Sequence, residues 1–206
     1  RELLALVLSE RLVLFYAQSG AGKSSLINTR LIPDLRREGF DVLPVGRVSG
    51  ELPPGVDPTT VKNIFIFNLI ARLNEGLATE EQFPVTLLAR NSLVTFLGGE
   101  DDKDWDAATD GGESLPTYST APTVLIIDQF EELITNHLDQ WQQRSDFFEQ
   151  LRQTQIRFPN LWVVLTMRED YIAALDPYTP LLPDRLRARF YMQRMGYTAA
   201  LEAVQR

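Results

Sequence analysis

The 206-residue chain contains no cysteine. Disulfides and thiolate metal sites are therefore excluded, and a reducing, cytoplasmic setting is expected. It has a single histidine, His137, and one imidazole makes neither a zinc site nor a catalytic triad. A plain surface role is expected for it. No apolar run approaches the roughly 18 residues needed to span a bilayer. The stretch Leu3 to Leu8 is too short for a signal peptide and lacks a cationic leader and a cleavage site, so no membrane partner is expected. There is no internal repeat. A basic face is also missing: 20 Lys and Arg stand against 28 Asp and Glu, for a net charge of −8. Nucleic acid is thus not expected as a partner. Between Gly98 and Pro122 lie seven acids and one base, so most of the negative charge is local. That stretch is also rich in Gly, Ser, Thr and Pro and is expected to be a flexible acidic loop.

What is present is an ordinary globular balance, 44% hydrophobic and 23% charged, enough to bury the core of one domain over 1–206. The chain opens without methionine and stops within the pattern Leu201-Glu202-Ala203-Val204, as expected of a piece of a larger multidomain protein. Apolar, β-prone runs predict strands at Leu12–Tyr16, Val42–Val48, Thr123–Ile127 and Leu161–Thr166. Pro44 marks the second as an edge strand. A fifth is predicted where Leu186, Ala188, Phe190 and Met192 alternate with Arg185, Arg187, Arg189 and Tyr191. Helices are predicted from Gly22 until Pro33 interrupts, then over Val61–Leu73, Glu81–Leu97, Asp139–Ile156 and after Gly196. In the fourth of these, Trp141, Phe147, Phe148 and Leu151 should face inward. Strands alternating with helices imply an α/β fold with a five-stranded parallel sheet covered on both faces.

The first predicted strand runs into Ala17-Gln18-Ser19-Gly20-Ala21-Gly22-Lys23-Ser24-Ser25, between strand and helix, the setting a phosphate-binding loop requires. Gly20 and Gly22 let the backbone curl so that the amides of Ser19 to Ser25 point at one phosphate, and the following helix adds its positive end. Lys23 places a cation between β- and γ-phosphates, and Ser24 offers its hydroxyl to Mg2+. Ala17 stands where this motif usually opens with glycine, so a slightly altered turn is expected.

The third strand runs into Asp128-Gln129-Phe130-Glu131-Glu132. A carboxylate at the tip of a buried parallel strand faces the crevice where open α/β sheets bind ligands, so Asp128 is the expected outer ligand of the ion held by Ser24. Glu131 and Glu132 are both candidates for the base that orients water. Gln129, in the position next to the aspartate, is not basic enough. A helix N-terminus decorated with acids is the alternative reading of this strand end. The fourth strand ends at Arg168. If that strand lies between the first and third, Arg168 faces the γ-phosphate as a sensor; the alternative is an ion pair with Glu169 or Asp170. Arg185, Arg187 and Arg189 read as a solvated strand face.

The combination S-G-A-G-K-S-S-L, I-D-Q-F-E-E-L and L-T-M-R-E-D-Y resembles the STAND NTPases, most of all the bacterial novel STAND NTPase 1 group, and Arg1-Glu2 is similar to the end of that group's G-R-E element. The resemblance implies a three-layer, AAA-like (ASCE) P-loop core with strand order 5-1-4-3-2, ATP or ADP with Mg2+ as ligand, and a slow Mg-dependent ATPase. It further implies a switch that works with other domains of its chain and self-associates in the full-length protein, in signal transduction, cell death or antiviral defence. A binding-only scaffold is the competing reading. A GTPase would carry N-K-x-D, which the chain lacks.

Overall fold

In a computed structural model, residues 1–98 and 121–193 are described. The acidic stretch, apart from its edges, and the helix expected after Gly196 lie outside these residues. The described order is α1 (Glu2–Ser9), β1 (Leu12–Ala17), α2 (Lys23–Leu26), a π-helical turn (Ile27–Leu31), α3 (Ile32–Arg37), β2 (Asp41–Val42), α4 (Ile64–Glu75), α5 (Val85–Leu88) and α6 (Leu93–Gly98). Then come β3 (Thr123–Ile127), α7 (Glu132–Thr135), α8 (Gln143–Arg157), β4 (Leu161–Arg168), 3-10 turns over Glu169–Leu181 and Pro183–Leu186, and β5 (Arg189–Met192).

The five strands form one sheet in the order β2-β3-β4-β1-β5, which is β5-β1-β4-β3-β2 from the other edge. Every pairing is parallel. β4, which follows β3 in the chain, is inserted between β1 and β3. Successive strand residues point to opposite faces, and both faces are apolar because both are covered. Leu12, Leu14, Leu125, Ile127, Val163 and Leu165 join α4 and the α8 residues Phe147, Phe148 and Leu151 in one core. Val13, Phe15, Val124, Ile126 and Val164 pack on the other side with Leu3 and Val7 of α1 and with Ile27, Leu31 and Leu35.

Differences from the sequence reading have local causes. Pro33 does not interrupt the first helix. The chain widens into the π turn at Ile27–Leu31, and Pro33 falls at the start of α3, where its missing N–H costs little. The second strand is ladder only at Asp41–Val42, with a single bridge from Gly46 to Ile127, because Pro44 has no donor to give. The helix expected at Val61 starts at Ile64, where the Asn63 side chain accepts from the Phe65 and Ile66 amides. Glu81–Leu97 is not one helix but a 3-10 turn and two short helices. Likewise α8 starts at Gln143, after a left-handed His137 and a 3-10 turn. Trp141 falls before it and is 58% exposed, while Phe147, Phe148 and Leu151 are buried as expected. The last strand starts at Arg189. It is preceded by three consecutive left-handed residues, Asp184, Arg185 and Leu186, so Leu186 joins the opposite core from Ala188, Phe190 and Met192. Among the described residues no helix is long and apolar enough to cross a membrane.

Candidate functional site

β1 delivers the phosphate-loop sequence to the sheet's C-terminal edge. Ala17, its last residue, is fully buried and pairs with Arg168 on one side and Met192 on the other. It is not among the residues with positive φ, so alanine serves there as well as glycine and the altered turn expected from it is not needed. The turn follows, with Gly20 at φ 71° and Gly22 at φ 92°. A Cβ on Gly22 would meet nothing within 4 Å, so glycine is required there by the left-handed backbone rather than by space. Helical structure begins at Lys23, with the Leu26 amide donating to the Gly22 carbonyl at 2.9 Å.

One of the candidate acids meets this loop directly. Ser24 Oγ donates to Asp128 Oδ2 at 2.7 Å across 104 residues of sequence. Asp128 sits just past β3 and is only 5% exposed. Its other oxygen, Oδ1, accepts a hydrogen bond from the hydroxyl of Thr166 in β4. Gln129 is left-handed at φ 53°. That reversal returns the Phe130 amide to the Thr166 carbonyl at 2.7 Å. Beyond it the two glutamates part. Glu131 Oε2 accepts from the Arg168 amide at 3.2 Å, at the tip of β4. Glu132 opens α7 and lies on the β2 side, with Oε1 3.9 Å from Arg47 and Oε2 buried without a hydrogen-bond partner.

Arg168 is level with Ala17, but its side chain turns away from the loop to Asp170 at 2.6 Å and over the Tyr171 ring. The ion pair with Asp170 holds its guanidinium charged more firmly than usual. This ion pair is the alternative to a sensor role for Arg168. His137 makes a ring contact with Phe65. Arg187 approaches Asp184, and Arg189 donates to the Leu186 carbonyl. None of these reaches the loop. Among the described residues no group of three or more His, Cys, Asp or Glu forms a metal site.

A family model described as Novel STAND NTPase 1 matches residues 1–206. The chain belongs to the novel STAND NTPase 1 family. A search among curated proteins gives no significant match. Membership makes this a nucleotide-binding module of the STAND class, and in this novel STAND NTPase 1 chain the candidate acids contact two residues that the sequence does not single out. Thr166 is one; its signal was a lone hydroxyl in the apolar run Leu161-Trp162-Val163-Val164-Leu165-Thr166. Arg47 is another, invisible until the short β2 is placed beside β3.

Burial raises the pKa of Glu132, opposed by Arg47 and reinforced by the charges of Glu131 and Asp128. A carboxyl with a higher pKa folded than unfolded binds more protons in the folded state between the two values. Stability therefore falls as pH rises through that window, and the cost is complete above the folded pKa. Glu132→Gln removes the charge at constant shape. It is expected to melt above the parent at pH 8, with the gap shrinking as pH approaches 4. A gap that widens on acidification would contradict the assignment.

Proposed function

We propose that this novel STAND NTPase 1 domain is an ATP-binding switch that hydrolyses slowly and acts on other domains of its chain and on further copies of itself. The observation that carries the reading is the contact between Ser24 and Asp128, which joins the hydroxyl after the phosphate-loop lysine to a buried acid at the neighbouring crevice. That donor set, one hydroxyl and one carboxylate, suits Mg2+, which keeps several waters and takes few protein ligands. Bound there, the ion would neutralise charge building up on the β- and γ-phosphates. The chain's own groups do the rest. The amides of Ser19, Gly20, Ala21, Gly22, Lys23, Ser24 and Ser25 wrap a phosphate, Lys23 adds a mobile cation, and Glu131 or Glu132 orients and deprotonates water. Arg168, level with the loop, leaves Asp170 for the γ-phosphate when one is present.

A cavity of about 270 Å3 beside the loop helix, whose lining mixes Leu3, Leu4, Leu26, Leu31 and Phe190 with the charged Arg1, Glu2, Arg30 and Asp34, is the setting assigned to the adenine ring. The β4 insertion between β1 and β3 supports an AAA-like, ASCE assignment. ATP is preferred over GTP in this reading because the guanine-reading motif is missing.

Calorimetry tests it directly. ATP and ADP with Mg2+ should bind and GTP should bind much more weakly; equal GTP affinity would overturn the choice of nucleotide. Lys23→Ala should weaken ATP by about 10–100-fold, the worth of a charge-assisted hydrogen bond. Unchanged affinity would mean the loop does not hold phosphate. Single-turnover hydrolysis separates the switch from a binding-only scaffold.

A further inference from the structure

We infer that Thr166 is a positioning residue that presents Asp128 to the metal, an inference resting on the reading above in which Ser24 and Asp128 hold Mg2+. The topology creates the need. Asp128 projects from β3 and Ser24 from the helix after β1, but β4 lies between those two strands. The carboxylate must reach across the tip of β4. Ile127 pairs with Leu165, so the next residue on each strand, Asp128 and Thr166, lie side by side.

Thr166 holds the acidic turn in two ways. Its hydroxyl donates to Asp128 Oδ1, and its carbonyl accepts from the Phe130 amide at 2.7 Å. Between those anchors the chain passes through the left-handed Gln129. With Oδ1 occupied, Oδ2 is the oxygen turned to Ser24. The carboxylate is thus fixed in rotation as well as in place. Mg2+ demands near-ideal octahedral geometry at short distances, so a carboxylate free to rotate about its Cβ–Cγ bond is a poorer ligand than one locked by an outer hydrogen bond. Losing such a partner elsewhere weakens metal sites by about 10–100-fold. Thr166 itself is fully buried. A hydroxyl in an apolar strand position costs desolvation unless paired, and here its partner is the one carboxylate at the centre of the site.

Thr166→Val is the discriminating variant. It keeps the shape and the carbonyl but removes the donor. With the whole chain, a fluorescent ATP analogue at fixed concentration is titrated with MgCl2, and separately its affinity is measured in EDTA. The parent should need Mg2+ for tight binding. Thr166→Val should shift the Mg2+ requirement up by about 10–100-fold while affinity in EDTA stays unchanged, and Thr166→Ser should restore the parent curve. Thr166→Cys, whose thiol is a weaker donor, should fall between; it serves as the second variant if circular dichroism finds Thr166→Val unfolded. An unshifted Mg2+ curve overturns the inference. So does an equal loss of affinity with and without metal, which would make Thr166 a packing residue only. A parent whose binding ignores Mg2+ overturns the metal reading itself, and that result is distinct because it needs no variant.

Discussion

Glu131→Gln should bind ATP as the parent does and turn it over about 100–10,000-fold more slowly, the usual contribution of a general base. Glu132→Gln should lose much less. The pKa direction alone points the other way, since burial moves Glu132 toward the neutral range where a base works well. Position favours Glu131. Glu131 is held by the amide of Arg168, and Arg168 pairs in register with Ala17 at the mouth of the phosphate loop. Glu132 faces Arg47 on the β2 edge, two strands further from β1. A base must lie within hydrogen-bonding reach of its water, directly or through one more water, before its pKa matters. Single-turnover hydrolysis of both variants checks this. Loss confined to Glu132→Gln would reverse the assignment.

Phe130→Ala should destabilise the domain by about 3–5 kcal/mol, the cost of emptying a fully buried aromatic site. Whole domains of this kind are stable by only about 5–15 kcal/mol. Phe130 is fully buried, with ring centroids 5.8 Å from both Phe147 and Phe148. It is also the side chain that pins the acidic turn to α8, so catalysis should fail at temperatures where the variant is still folded. Urea unfolding measures the first effect. Trp141→Ala, at an exposed site, is the control and should change stability by no more than about 0.5 kcal/mol. Similar losses for the two variants would show that the aromatic cluster is not what anchors the turn.

The turn of the candidate phosphate loop was legible because its signal is local: Gly20, Gly22, Lys23 and Ser24 fall within five residues, and both glycines take the positive φ their spacing calls for. The buried strands β1, β3 and β4 were legible because parallel strands covered on both faces read as unbroken apolar runs. Asp128 followed from being the first acid after such a run. What failed to show depends on partners far away in sequence. Whether Glu131 or Glu132 turns toward the loop rests on the left-handed Gln129, and a positive φ at a non-glycine residue has no composition signal. Thr166 matters only because Asp128 lands beside it. Trp141 fits a helical pattern on paper, but the reversal at His137 ends the earlier segment and α8 begins two residues after the tryptophan. Pro44 does mark an edge strand, and it also cuts the ladder to two residues.

The insertion of β4 beside β1 also sets the timing of assembly. Both neighbours of the phosphate-loop strand come from the last third of the described chain, and Arg11, at the foot of β1, bonds to Leu161 across 150 residues. On a ribosome working at about 5–20 residues per second, β1 emerges on the order of ten seconds or more before the strand that completes its ladder. During that interval its apolar run must be shielded by α1 and the helix after the loop. A sheet closed by such distant segments folds slowly, so the crevice at the tip of β1 cannot form until β4 and β5 have been made.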